Sequence, residues 1–224
     1  MSCNDQKMPS VWVDSEEVLF KDGIPLGAAE VYDDLMRELD PVGRIIVEFV
    51  VDGIDILRTG ENPESFSKIE AKSQTHHELT LRLVMETSKH LVHMEEHMQA
   101  YAVNVLKTSW VEVFERMDEL IAKIKPFAEL FDNLVPYVQT YDPPWRETFE
   151  SIASEQACIL EGIMDSFERA SPAILSDTLA CRFCTNFKEA SDFFSSVMIP
   201  FLKDRVTDSL FVGRERGICL ATDS

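Results

Sequence analysis

Glycine is distributed so unevenly that it divides the chain. Five of the eight glycines lie in the first 60 residues, and only Gly162 interrupts the stretch from 61 to 205. Glycine gives turns their positive φ and weakens helix interiors. The first quarter therefore has material for tight hairpins, while the rest is free to run in long helices. The hydrophobic pattern follows the same division, with short alternating runs before Leu57 and 3.6-residue periodicity from Pro63 to about Arg205.

In the first segment, Val11-Trp12-Val13 and Val18-Leu19-Phe20 flank Asp14-Ser15-Glu16-Glu17, the layout of a short hairpin. Lys21 to Gly27 breaks the pattern. Val31, Leu35 and Leu39 then fall at i, i+4 and i+8, one apolar stripe on a helix over 28–40 that Pro41 and Gly43 end. Arg44 to Val51 places Ile45, Val47, Phe49 and Val51 on one face. Asp52-Gly53 is the dipeptide that type I′ turns prefer, and Ile54 to Leu57 returns. The order strand, strand, helix, strand, strand resembles a β-grasp (ubiquitin-like) module, a likeness of element order that implies a small sheet with one helix packed on it.

Beyond it, Thr59 to Glu64 reads as a linker with Asn62 as N-cap and Pro63 at the first helical position. Capping-box spellings occur at Thr75-x-x-Glu78, inside a continuing helix, and at Ser109-x-x-Glu112, at a break. Asp142 and Ser171, each before proline, read as N-caps, and Pro200 as the point where the last helix kinks or ends. These marks predict helices near 63–107, 110–138, 143–170 and 172–204, joined by loops short enough to force antiparallel neighbours. The fold class expected is α+β, mostly α. A flexible tail over 1–10 and a ββαββ module over 11–60 precede an up-down four-helix bundle over 61–208. A tail over 209–224 has room for one short strand.

The net charge is −19, and the parts divided at Asn62 and Tyr141 carry −9, −4 and −6. Nucleic acid and anionic membranes are bound through clustered Lys and Arg, so neither is an expected partner. A protein partner, basic in character, is. Five sparse cysteines make no disulfide framework. With no apolar run behind the N-terminus, the reading is cytoplasmic. Cys181-x-x-Cys184 lacks the second pair that a zinc site needs and reads as buried core thiols beside Phe183 and Phe187.

All five histidines lie between His76 and His97. On one continuous helix from His76 to Thr108, His90 and His97 fall on the edge of an apolar stripe, with His93 and Glu86 just outside it. Glu86, His90, His93 and His97 could then point into one groove, where bundles hold zinc or iron. No Glu-x-x-His occurs, no histidine stands on a facing helix, and no His-Glu-x-x-His is spelled. Nucleophile elbows and phosphate-binding glycine loops are absent too. The methionines (Met85, Met94, Met98, Met117, Met164, Met198) read as core or as an adaptable groove. The run from Trp110 to Phe114 and on to Leu134 is more apolar than a two-helix contact needs, leaving room for a third neighbour or a second copy. The leading expectation is a non-enzymatic protein–protein interaction module, an adaptor or chaperone-like acidic bundle with no cofactor. The alternative is a metal-binding bundle, with enzymatic activity open to it, that uses the histidine face.

Overall fold

The computed structural model describes residues 9–21, 23–61 and 63–215, with side chains through Asp208. Asn62, the expected N-cap, and the expected tail before Pro9 lie outside the described residues. The chain divides into two units, residues 1–79 with 206–224, and residues 80–205.

In the first unit a five-stranded mixed sheet has the order β2-β1-β5-β3-β4, from β1 (Ser10–Val13), β2 (Glu16–Glu17), β3 (Arg44–Val51), β4 (Ile54–Asp55) and β5 (Lys68–Thr75). β1 and β5 pair in parallel at the centre, and every other pair is antiparallel. Helix α1 (Ala28–Leu39) buries Ala28, Val31 and Leu35 in the core formed by Val11, Ile46, Phe49, Val51, Ile69 and Ala71. Both hairpins turn through two residues at positive φ, Asp14-Ser15 and Asp52-Gly53. Their aspartates also brace the central strand. Asp52 accepts from the backbone N–H groups of Ser67 and Lys68, and Asp14 accepts from the N–H and hydroxyl of Ser73 and from Arg44.

Three local expectations change here. Residues 68–75 are a strand, not the start of a helix. Their inward positions are Ile69, Ala71, Ser73 and Thr75, and two apolar residues in eight left the alternation hard to see. The module therefore extends past residue 60. In β3 a register shift between Ile46 and Glu48 inserts an extra residue, so Ile46, not Val47, shares the buried side with Phe49 and Val51. Ile56–Thr59 is a turn of helix, α2, which Asp55 caps by accepting from the Leu57 N–H.

Four helical arms, whose residues 80–205 make up the second unit, form an up-down bundle. They are α3 (His76–His90) with α4 (Met94–Val105), α5 (Trp110–Glu115) with α6 (Met117–Tyr141), α7 (Arg146–Glu168), and a long arm from Pro172 to Glu215. The arm predicted over 63–107 thus begins only at His76, where Thr75 and Glu78 form a reciprocal capping box, and it breaks at Leu91–His93. Ser109 and Ser171 cap α5 and the long arm as predicted. Asp142 instead ends α6 in the left-handed conformation and pairs with Arg146, and Trp145 occupies the N-cap position of α7. No helix of the described residues is long and apolar enough to cross a membrane.

The long arm comprises α8 (Pro172–Asp177), α9 (Cys184–Phe193) and α10 (Ile199–Glu215), joined by π-helical turns at Thr178–Phe183 and Phe194–Met198. The helix continues through Pro200, where a kink or an end had been expected, and reaches Glu215 where a tail had been read. Proline in a helix collides with the carbonyl four residues back, here that of Ser196, inside the second π turn, where the ladder is already widened. The π turns also set register. The buried residues Leu175, Leu179, Phe183, Phe187, Ala190, Phe194, Met198 and Leu202 take seven steps over 27 residues. Seven turns of ideal α-helix use about 25. Each π turn absorbs about one of the two extra residues and keeps the stripe on one face. Deleting the exposed Ala180, inside the first π turn, should therefore cost less than about 2 kcal/mol, because the turn reverts to α-helix. Deleting Lys188 in α9 rotates neighbouring phenylalanines out of the core and should cost more than about 3 kcal/mol. Urea denaturation of the two variants checks the order, and equal losses would show that the π turns carry no register.

Candidate functional site

Metal chemistry needs donors that converge. Glu86 and His90 lie in the last turns of α3, His93 in the break and His97 in α4, and all four are exposed. The break ends the continuous wheel that had set them along one edge. His93 and His97 come within 6.3 Å between ring centres, and His93 Nδ1 lies 3.4 Å from Glu96. Among the described residues no group of three or more His, Cys, Asp or Glu is placed to hold a metal ion. This exposure predicts that His90→Ala/His97→Ala changes unfolding free energy by no more than about 0.5 kcal/mol. A larger loss in chemical denaturation would mean that the imidazoles contribute packing or ligand energy.

The cysteine pair separates. Cys184 is buried, its Sγ 4.0 Å from the Glu95 carbonyl, and burial, with help from Glu95 and Cys181, pushes its thiol up to about 11. Cys181 is exposed, which corrects the expectation of two core thiols. Its hydrogen bond to Asp177 also raises its pKa, so it stays a protonated, poor nucleophile. It lines an open groove of about 330 Å³ between α7 and the long arm, with Glu155, Arg182, Thr185, Asn186 and Glu189. Arg182 is paired to Glu155 at 2.8 Å. Asn186 donates to the Ile152 carbonyl, and its Oδ1, like Gln156 Nε2, is buried without a protein partner. The groove's lining contains no histidine and no activated nucleophile.

These thiol environments predict that, in a Cys3→Ser/Cys219→Ser background, exposed Cys158 reacts promptly with a thiol reagent, Cys181 reacts more slowly beside Asp177, and Cys184 reacts only on unfolding. A pKa raised in the folded state gives stability that is complete below the ordinary value of 9.0 and lost as pH climbs toward about 11. Urea unfolding at about pH 8 and about pH 10.5 should show a smaller alkaline loss for Cys184→Ala than for the wild type. An identical loss would remove Cys184 as a contributor.

The remaining concentration of chemistry is apolar. Trp110 and Phe114, one turn apart on α5, both meet Phe167 near the end of α7, at ring-centre distances of 5.5 and 6.3 Å. Phe114 is 54% exposed, and Met164, one turn before Phe167, is 65% exposed. Leu106 (60%) and Val103 (50%) at the end of α4 and Ile174 on α8 are exposed as well. A hydrogen bond from Ser176 Oγ to the Ala102 carbonyl, 2.9 Å, holds α8 to the end of α4. Beside α5 a cleft of about 20 Å³ is lined by Tyr101, Thr108, Val113 and Arg116, and the Tyr101 hydroxyl is buried there without a protein partner.

Sequence periodicity marked Trp110 to Phe114 as too apolar for one contact but did not bring in Met164 or Phe167. No local pattern joins residues 50 positions apart. Comparison with known proteins finds no counterpart: no protein-family model, no curated protein and no solved structure matches this chain.

Proposed function

We propose that this chain is a non-enzymatic protein–protein interaction module, an acidic helical adaptor that receives a protein partner on the face formed by Trp110, Phe114, Met164 and Phe167. The observation that carries the reading is the ring cluster itself, in which Phe167 of α7 meets both Trp110 and Phe114 of α5 and Phe114 is half exposed. Scattered exposed apolar residues are ordinary, but exposed Phe114 and Met164 flank half-buried Trp110 and Phe167, and Trp, Phe and Met together are the composition of binding surfaces. The neighbouring groove at Cys181 and the histidines at the end of α3 offer no assembled catalytic set that would favour an enzyme.

A photo-crosslinking phenylalanine analogue at position 114, in cells that make the protein, should give discrete crosslinked species. The same analogue at Glu129, on the exposed side of α6, should not. Indistinguishable crosslinking patterns at the two positions would defeat the assignment of this face.

A further inference from the structure

Resting on the docking reading above, we infer that the occupant of this face is a cationic amphipathic helix of another protein. The shape argument comes first. No strand lies among the described residues of the 80–205 unit, so a partner there cannot extend a sheet edge. What the face offers is paired ridges, Trp110 with Phe114 at i, i+4 and Met164 with Phe167 at i, i+3, spaced at about 5–6 Å as helix neighbours are. Such ridges fit the i, i+3, i+4, i+7 anchors of an apolar helix stripe, and a flexible methionine lets the surface adapt to it.

The charge argument selects the sign. Glu115, Glu161 and Glu168 are exposed on the same two helices. Of the cations close in sequence, Arg116 and Arg169 are ion-paired, to Glu119 and Asp165, which leaves exposed Lys107 as a single positive charge against these acids. A helix flanked by Lys and Arg gains from this rim, whereas an acidic one is repelled. A second copy of the chain is a poor occupant for the same reason. Each carries a net charge of −19 and would set acidic rim against acidic rim.

The test is selection from a displayed library of random amphipathic helices of unbiased charge. The full chain is the target, with counter-selection on Phe114→Asp/Met164→Asp. Both substituted residues are exposed, and circular dichroism with a thermal melt verifies that the variant folds. Expected are binders rich in Lys and Arg around an apolar stripe, specific to the unsubstituted protein, whose affinity falls about tenfold or more between low and high salt. Selected binders of neutral or negative charge, equally specific, would overturn the cationic helix and leave the docking face standing. A library that yields nothing distinguishing the two proteins would overturn the docking face itself. Concentration-dependent self-association in sedimentation, abolished in the variant, would replace the foreign helix by a second copy.

Discussion

Phe127 and Phe131, one turn apart on α6, touch each other edge-on at 5.4 Å and between them reach three other stretches of the bundle. Phe127 meets Phe183 and Phe187 of the long arm, and Phe131 meets Phe149 of α7 and Phe194. Aromatic pairs at these distances add to ordinary apolar burial and have preferred geometries, so they fix how α6, α7 and the long arm lie together. The π turns have a reason in this contact. An unbroken α-helix would carry the phenylalanine stripe of the long arm round its surface, away from α6. The same contact explains where spare apolar surface is left. Phe149 and Phe167 are 18 residues apart on α7, about 27 Å at the helix rise. Phe149 is buried, stacked on Phe131 of α6 and edge-on to Trp145 at the start of its own helix. Phe167 is only half-buried, packed at the margin of the core with Trp110 and Phe114 as its ring partners.

Legibility in the sequence followed how local each determinant is. The Asp52-Gly53 turn, the Val31-Leu35 stripe and the caps at Ser109 and Ser171 depend on residues within one turn of each other, and all could be read. Asp142 followed the same spelling as Ser171 and took the opposite role. The choice between ending one helix and starting the next depends on a backbone angle, and its carboxylate could pair with Arg146 either way. Strand β5 failed for a different reason. Its two inward polar positions, Ser73 and Thr75, find partners in Asp14 and Glu78, so a buried strand face could be half polar without penalty. A hydropathy pattern has no access to such partners.

The candidate face was legible only in part, and the cause is physical. Trp110 and Phe114 announced surplus apolar surface, but whether a surplus is buried depends on what crosses it, and Phe167 and Met164 come from another arm. The histidines show the converse error. Their spacing was informative only while the helix was taken as continuous, and three residues of turn at Leu91–His93 were enough to move Glu86 and His90 onto a different helix from His97. Helical-wheel arguments therefore extend only as far as the backbone hydrogen-bond ladder does.

Acidity and exposed aromatics make sense together in this chain. On the docking reading proposed above, an unpaired apolar face invites a chain to associate with its own copies, and each association would bury the rings offered to a partner. Like charge set around that face opposes association between copies over distances of about a Debye length, ~8 Å at physiological salt. Exposed acids on the same helices, such as Glu115 and Glu168, add to that repulsion without packing on the rings. They cannot repel a partner of opposite charge, so the arrangement that keeps the surface free also biases what reaches it. Removing the acids would then do more than weaken one encounter. It would remove the discrimination between a foreign cationic helix and a second copy of the same chain, because the apolar contact alone rewards both.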